Sequence, residues 1–93
     1  MRHAAFKPSN ALTFDTVAFD LSSLRAYVQG SQSAVLCLDL SDVTLCDSAG
    51  LALLIAAKRI CKQQKKTLVL EKMPKAVEAL AQFCGVDALL SQP

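Results

Sequence analysis

The sequence predicts an α/β sandwich, a mixed sheet of about four strands with a long helix and a second helix packed on it. Three stretches carry that prediction: an apolar run from Ala34 to Leu40, a run of strong helix formers from Leu51 to Lys66, and a second apolar run from Thr67 to Leu70. An apolar run of this length ahead of a polar turn reads as a strand buried on both faces. The middle stretch holds Leu, Ala, Ile, Lys, Arg and Gln without Pro or Gly, which predicts a helix of about four turns. Strand, helix and strand of this size form a βαβ unit, so the two strands are expected to be parallel with a right-handed crossover.

The elements follow in chain order. Met1 to Asn10 is the least defined segment, with a turn signal at Pro8 and Ser9-Asn10. Phe6-Lys7 reads as the remnant of a first strand, and Ala11 to Asp15 or Val17 as its hairpin partner. Asp20-Leu21-Ser22-Ser23 caps a short helix to about Gln29, with Leu21, Leu24 and Val28 on one face and Gly30 just past its end. Ser41-Asp42 ends the first long strand. The loop Asp47-Ser48-Ala49-Gly50 opens the long helix, where Asp47 or Ser48 can cap by accepting a hydrogen bond from a free backbone N–H. Lys58, Arg59, Lys62, Lys65 and Lys66 crowd its C-terminal half and complement the helix dipole. After the second strand, Pro74 suits a first helical turn, where the N–H it lacks has no partner. Val77, Leu80, Ala81 and Cys84 then repeat at helical spacing, Gly85 suits a left-handed helix end, and Val86, Leu89 and Leu90 close the core.

Composition bounds the function. Ninety-three residues make one small domain, with 53% hydrophobic and 19% charged residues, which argues against disorder. A net charge of +2 is too small to imply nucleic acid. No apolar run approaches the roughly 20 residues of a membrane span, and Arg2 and His3 precede no apolar signal core. The expected location is cytoplasmic, on the membrane only through a partner. The cysteines Cys37, Cys46, Cys61 and Cys84 form no C-x-x-C pair and the single histidine is His3, so no metal, redox pair or cofactor is expected. Cys37, Cys61 and Cys84 fall on apolar faces and read as small buried thiols. Cys46 stands at a helix start, which acidifies a thiol, but beside Asp47, which opposes it.

At about 100° per residue, the long helix has a core face of Gly50, Leu53, Leu54, Ala57, Ile60 and Cys61. Leu51, Ala52, Ile55, Ala56, Arg59, Lys62 and Gln63 fall opposite. The first two turns therefore carry apolar residues where a solvated helix is polar. Either another helix of the chain covers them, or alanines are tolerated in water, or they form a docking patch beside Ser48.

LDLSDVTLCDSAGLALLI, followed by a basic helix end, an apolar strand and MPKAVEALAQFCGVDALL, resembles the STAS family of SpoIIAA-like domains over about residues 34 to 90. The specific part is Asp-Ser/Thr-x-Gly-Leu between strand and helix, matched by Asp47, Ser48, Gly50 and Leu51. Ala52-Leu53-Leu54, Pro74, Leu80-Ala81 and Gly85-Val86 are most similar to the branch of small STAS subunits in phospholipid-transporting ABC systems. In that branch the resemblance implies a non-catalytic subunit that docks on the cytoplasmic ATPase, in a complex with permease and substrate-binding subunits, and supports its assembly and activity in outer-membrane lipid asymmetry. The alternative branch implies an anti-sigma-factor antagonist whose partner is an anti-sigma factor kinase and whose switch is phosphorylation of Ser48. Family members commonly carry a Gly and an acidic residue in the second strand and the following loop; Phe14 and Val17 stand in those places, which weakens the acidic surface of the antagonist branch.

The expected partner-binding residues are Asp47, Ser48, Leu51, Ala52, Ile55, Ala56 and Arg59, with Ser48 as the possible phosphorylation site and no catalytic residue. Nucleophilic catalysis by Ser48 needs a base beside it, and no histidine occurs outside the first three residues. Gly30, Gly50 and Gly85 are too far apart to cradle a phosphate. The Lys58 to Lys66 cations read either as a solvated helix end or as a weak site for anionic lipid headgroups.

Overall fold

A computed structural model of the chain describes residues 5–91. Strand β3 (Val35–Asp39) runs parallel to β5 (Thr67–Glu71), and helix α2 (Ser48–Gln63) connects them through β4 (Leu45–Cys46). This is the expected βαβ unit. Side chains alternate along a strand, and here Leu36, Leu38 and Leu68 turn to the helices and are buried. Val35 and Val69, on the opposite face, are 39% and 38% exposed. The first apolar run is therefore buried on one face rather than both.

Strand β1 (Ala5–Phe6) pairs parallel to the other side of β3, Ala5 beside Cys37 and Phe6 beside Leu38. Strand β2 (Ala11–Leu12) pairs parallel with β4. The hairpin expected between Phe6-Lys7 and Ala11 onward does not form, because the two segments lie in different ladders. Asn10 and Leu12 offer their carbonyls to Thr44 N–H at 2.8 Å and Asp47 N–H at 3.1 Å, so β4 takes the backbone groups that a hairpin would have used.

Helix α1 (Val17–Gly30) begins three residues before the expected cap. Asp20 is inside it and buried, and its Oδ1 accepts from Ser9 N–H at 3.1 Å and Ser9 Oγ at 2.9 Å. It ties the β1–β2 link to the helix instead of capping it. The turn ahead of α1 is held by the Thr16 hydroxyl, which accepts from Thr13 N–H at 3.0 Å and donates to the Ala11 carbonyl at 2.7 Å. Gly30 is the last helical residue rather than the first beyond, and the Lys66 ammonium donates to the carbonyls of Val28, at 2.8 Å, and Ser31. A cation from the far end of α2 thus satisfies acceptors that helix ends leave open.

Helix α3 (Lys75–Phe83) follows Pro74 as expected. Gly85 adopts φ +74°, while Val86 N–H donates to Ala81 O at 2.9 Å and Gly85 N–H to Gln82 O at 3.1 Å. These are the paired bonds of a left-handed helix end. Helix α2 ends the same way on Lys65, at φ 59°, with Lys66 N–H on Cys61 O at 2.8 Å. A short helix α4 (Asp87–Ser91) then seats Leu90 in the core. Cys84 is exposed at the end of α3, not on the apolar face, and Cys37 is only half-buried; Cys61 alone of the three is fully buried. One core joins Leu12, Leu24, Val28, Leu36, Leu38, Leu40, Leu54 and Leu68.

Candidate functional site

The loop into α2 is built around Asp47. Its Oδ1 accepts from Gly50 N–H at 3.0 Å, the expected N-cap, and its Oδ2 accepts from Phe14 N–H at 3.1 Å. One carboxylate therefore fastens both the start of α2 and the turn before α1. The bonds from Phe14 and then Gly50 hold its carboxyl below the usual carboxylate range, because they favour the charged form.

Gly50 is required for a different reason. A Cβ there would lie 2.1 Å from the Leu12 carbonyl oxygen and 2.8 Å from Cys46 Sγ. β2 passes so close to the first turn of α2 that no side chain fits. The Cys46 thiol is half-buried and pushed up by burial and by the Asp47 carboxylate, so it is not a reactive thiolate.

Ser48 is the first residue of α2 and is exposed, and its hydroxyl makes no hydrogen bond among the described residues. It begins an outward ridge that continues through exposed Ala52 and Arg59. Ile55 and Ala56 flank this ridge and are half-buried. Leu51 departs from the expected patch: at 3% exposure it belongs to the core and offers nothing to a partner. Flanking helices close over the margins of α2, α1 on one side and α4 on the other. Ile55 likewise packs against the core on the α4 side, and Ile60, expected in the core, is only half-buried.

Between α1 and α2 runs an apolar groove of about 340 Å³, lined by Val17, Ala18, Leu21, Ala49, Ala52, Leu53 and Ala56. It opens beside Ser48. Phe14, whose backbone N–H donates to Asp47, is 79% exposed, and Phe19 on α1 is 70% exposed. The α1 half of this surface was missed in the sequence because the helix was expected to start at Asp20. The spacing of Val17, Ala18 and Leu21 is the signal that would have extended it. Among the described residues, no three His, Cys, Asp or Glu side chains gather as metal ligands.

The family model described as Mlab, STAS domain matches residues 9–91. This chain belongs to the STAS family. A search of curated proteins finds no match. STAS domains are generally non-catalytic binding domains, and around the start of α2 this chain presents an exposed serine and a groove lined by small residues. No helix among the described residues is long and apolar enough to cross a membrane.

Proposed function

We propose that this STAS domain is the non-catalytic subunit of a lipid-transporting ABC complex acting in outer-membrane lipid asymmetry. It docks on the cytoplasmic ATPase and supports assembly and activity there, and is held at the membrane by that complex with its permease and substrate-binding subunits. The observation that carries the reading is the α1–α2 groove beside the exposed Ser48. Contiguous exposed apolar surface is characteristic of protein contacts. Asp47 holds the surface in shape, Ser48, Ala52 and Arg59 present the ridge, and Ala56 with Val17, Ala18 and Leu21 forms the groove. The match to the family model that carries the Mlab description agrees with this branch.

One observation favours a second reading, an anti-sigma-factor antagonist. The exposed, unbonded Ser48 hydroxyl at a helix N-terminus suits a phosphate, which would lie at the positive dipole end of α2. Affinity purification of the tagged protein from detergent-solubilised native membranes tests both. Recovery of an ABC ATPase with its permease, and unmodified Ser48, is the expected result. Recovery of an anti-sigma factor kinase with phosphorylated Ser48 would transfer the protein to the antagonist branch.

A further inference from the structure

Charge is distributed unevenly along this chain. Lys58, Arg59, Lys62, Lys65 and Lys66 fall within nine residues, and the other 5 basic residues of the sequence face all 8 acidic ones. The C-terminal half of α2 and the turn after it are thus strongly positive on a molecule that is otherwise net negative. Beside it lies a cleft of about 410 Å³ between α2, the start of β5 and α4, with Ile55, Leu68 and Leu89 beneath a rim of Lys58, Arg59 and Lys62.

The five cations are not equivalent. Lys66 is committed to the carbonyls that end α1, and Lys58 reaches the Leu68 carbonyl at 3.4 Å. Arg59 and Lys62 are exposed, and among the described residues no carboxylate lies within ion-pair distance of either. The dipole of α2 accounts for one basic residue in its last turn, Lys62. It does not account for the gathering of a rim around a concave apolar floor.

We propose that this cleft docks the domain on the phosphate headgroups of an anionic lipid surface. A headgroup phosphate bridges Arg59 and Lys62, and the glycerol with its first methylenes covers Ile55 and Leu89. Composition decides between a lipid and an acidic protein segment: protein interfaces are depleted in lysine, whereas polybasic clusters of lysine and arginine are attracted to anionic leaflets. At 1.5 Å rise per residue, Lys62 lies about 20 Å along α2 from Ser48, so the lipid contact is centred toward one end of the helix and the protein contact toward the other, and the two meet at Arg59.

Co-sedimentation of the purified protein with phosphatidylglycerol–phosphatidylcholine vesicles tests this, with pure phosphatidylcholine vesicles and inorganic phosphate as the other arms. The expected result is pelleting on the anionic vesicles alone, largely lost at about 0.5 M salt. Lys62→Glu reverses an exposed charge on the rim and is expected to lower the partition about tenfold, with the fold checked by an unchanged melting temperature. Lys75→Glu makes the same change of net charge on α3, outside the cleft, and is expected to leave the partition within about twofold. Equal loss in the two variants would reduce the effect to net charge and overturn the site. Absence of pelleting would also overturn it, as would resonance shifts of Lys62 with inorganic phosphate but no vesicle binding, which would assign the cleft to a free anion.

Discussion

Asp47, Ser48 and Gly50 sit within one turn and answer to three different constraints. Asp47 needs two acceptor oxygens, one for Gly50 N–H and one for Phe14 N–H. Asp47→Asn keeps a cap acceptor but turns an amide N–H toward one of those donors. It is expected to lower the unfolding midpoint and to detach the Phe14 turn, read as faster hydrogen exchange at the Phe14 amide. Gly50 is limited by space: Gly50→Ala puts a methyl into the Leu12 carbonyl, and since that oxygen belongs to the β2 ladder the cost is expected to reach about 3 kcal/mol, measured by denaturant unfolding. Ser48 has neither constraint, so its substitutions act on binding. Ser48→Ala is expected to weaken docking on the ATPase by less than about threefold, and Ser48→Asp by more than about tenfold, because a charge beside the apolar groove is desolvated on contact. Calorimetric titration measures both, and equal effects would leave Ser48 without a switching role.

At the scale of elements, α2 and its two strands were legible in the sequence because each is long enough for periodicity to register, and the Asp47 cap lies where the chain changes pattern. β1, β2 and β4 have two residues each, too few for any period, and their partners are chosen by tertiary contacts such as the passage of β2 over Gly50. The patch on α2 was legible only in part. Helical spacing separates inward from outward residues, but it cannot tell how far the core wraps around the helix to take in Leu51 and part of Ile55. Ile55→Glu would accordingly disturb the core as well as the surface. Ala52→Glu is the cleaner probe, since Ala52 is exposed on the groove: docking is expected to fall at least about tenfold, with the far-ultraviolet circular dichroism unchanged. A second element-scale consequence lies at the end of α2. Lys65 holds a left-handed conformation that glycine adopts without steric cost, so Lys65→Gly is expected to raise stability by up to about 1 kcal/mol. A loss on denaturant unfolding would mean that the Lys65 side chain contributes more than its backbone costs.

Across the whole molecule, the carboxyl ends of the strands gather the acidic groups that hold loops in place. Asp39 ends β3 and accepts from Ser41 N–H at 2.9 Å, with Lys7 4.0 Å away, and Asp47 follows β4 with two backbone donors. Hydrogen bonds from Ser41, helped by Lys72 and Lys7, hold the Asp39 carboxyl below its ordinary value, as those from Phe14 and Gly50 do for Asp47. The sign of the resulting pH dependence is fixed by that direction. A carboxyl whose folded value is depressed binds fewer protons folded than unfolded, so its contribution is complete above the unfolded value of about 3.9 and disappears as pH falls through the folded one. Stability is therefore expected to hold level from neutral pH to about 5 and then to drop steeply toward pH 2. Urea midpoints across that range would record it. Asp39→Asn/Asp47→Asn should start lower at pH 7 and lose less on acidification, because two of the groups that take up protons on unfolding are gone. An acid limb as steep as that of the unaltered protein would place the acid sensitivity elsewhere than in these two carboxylates.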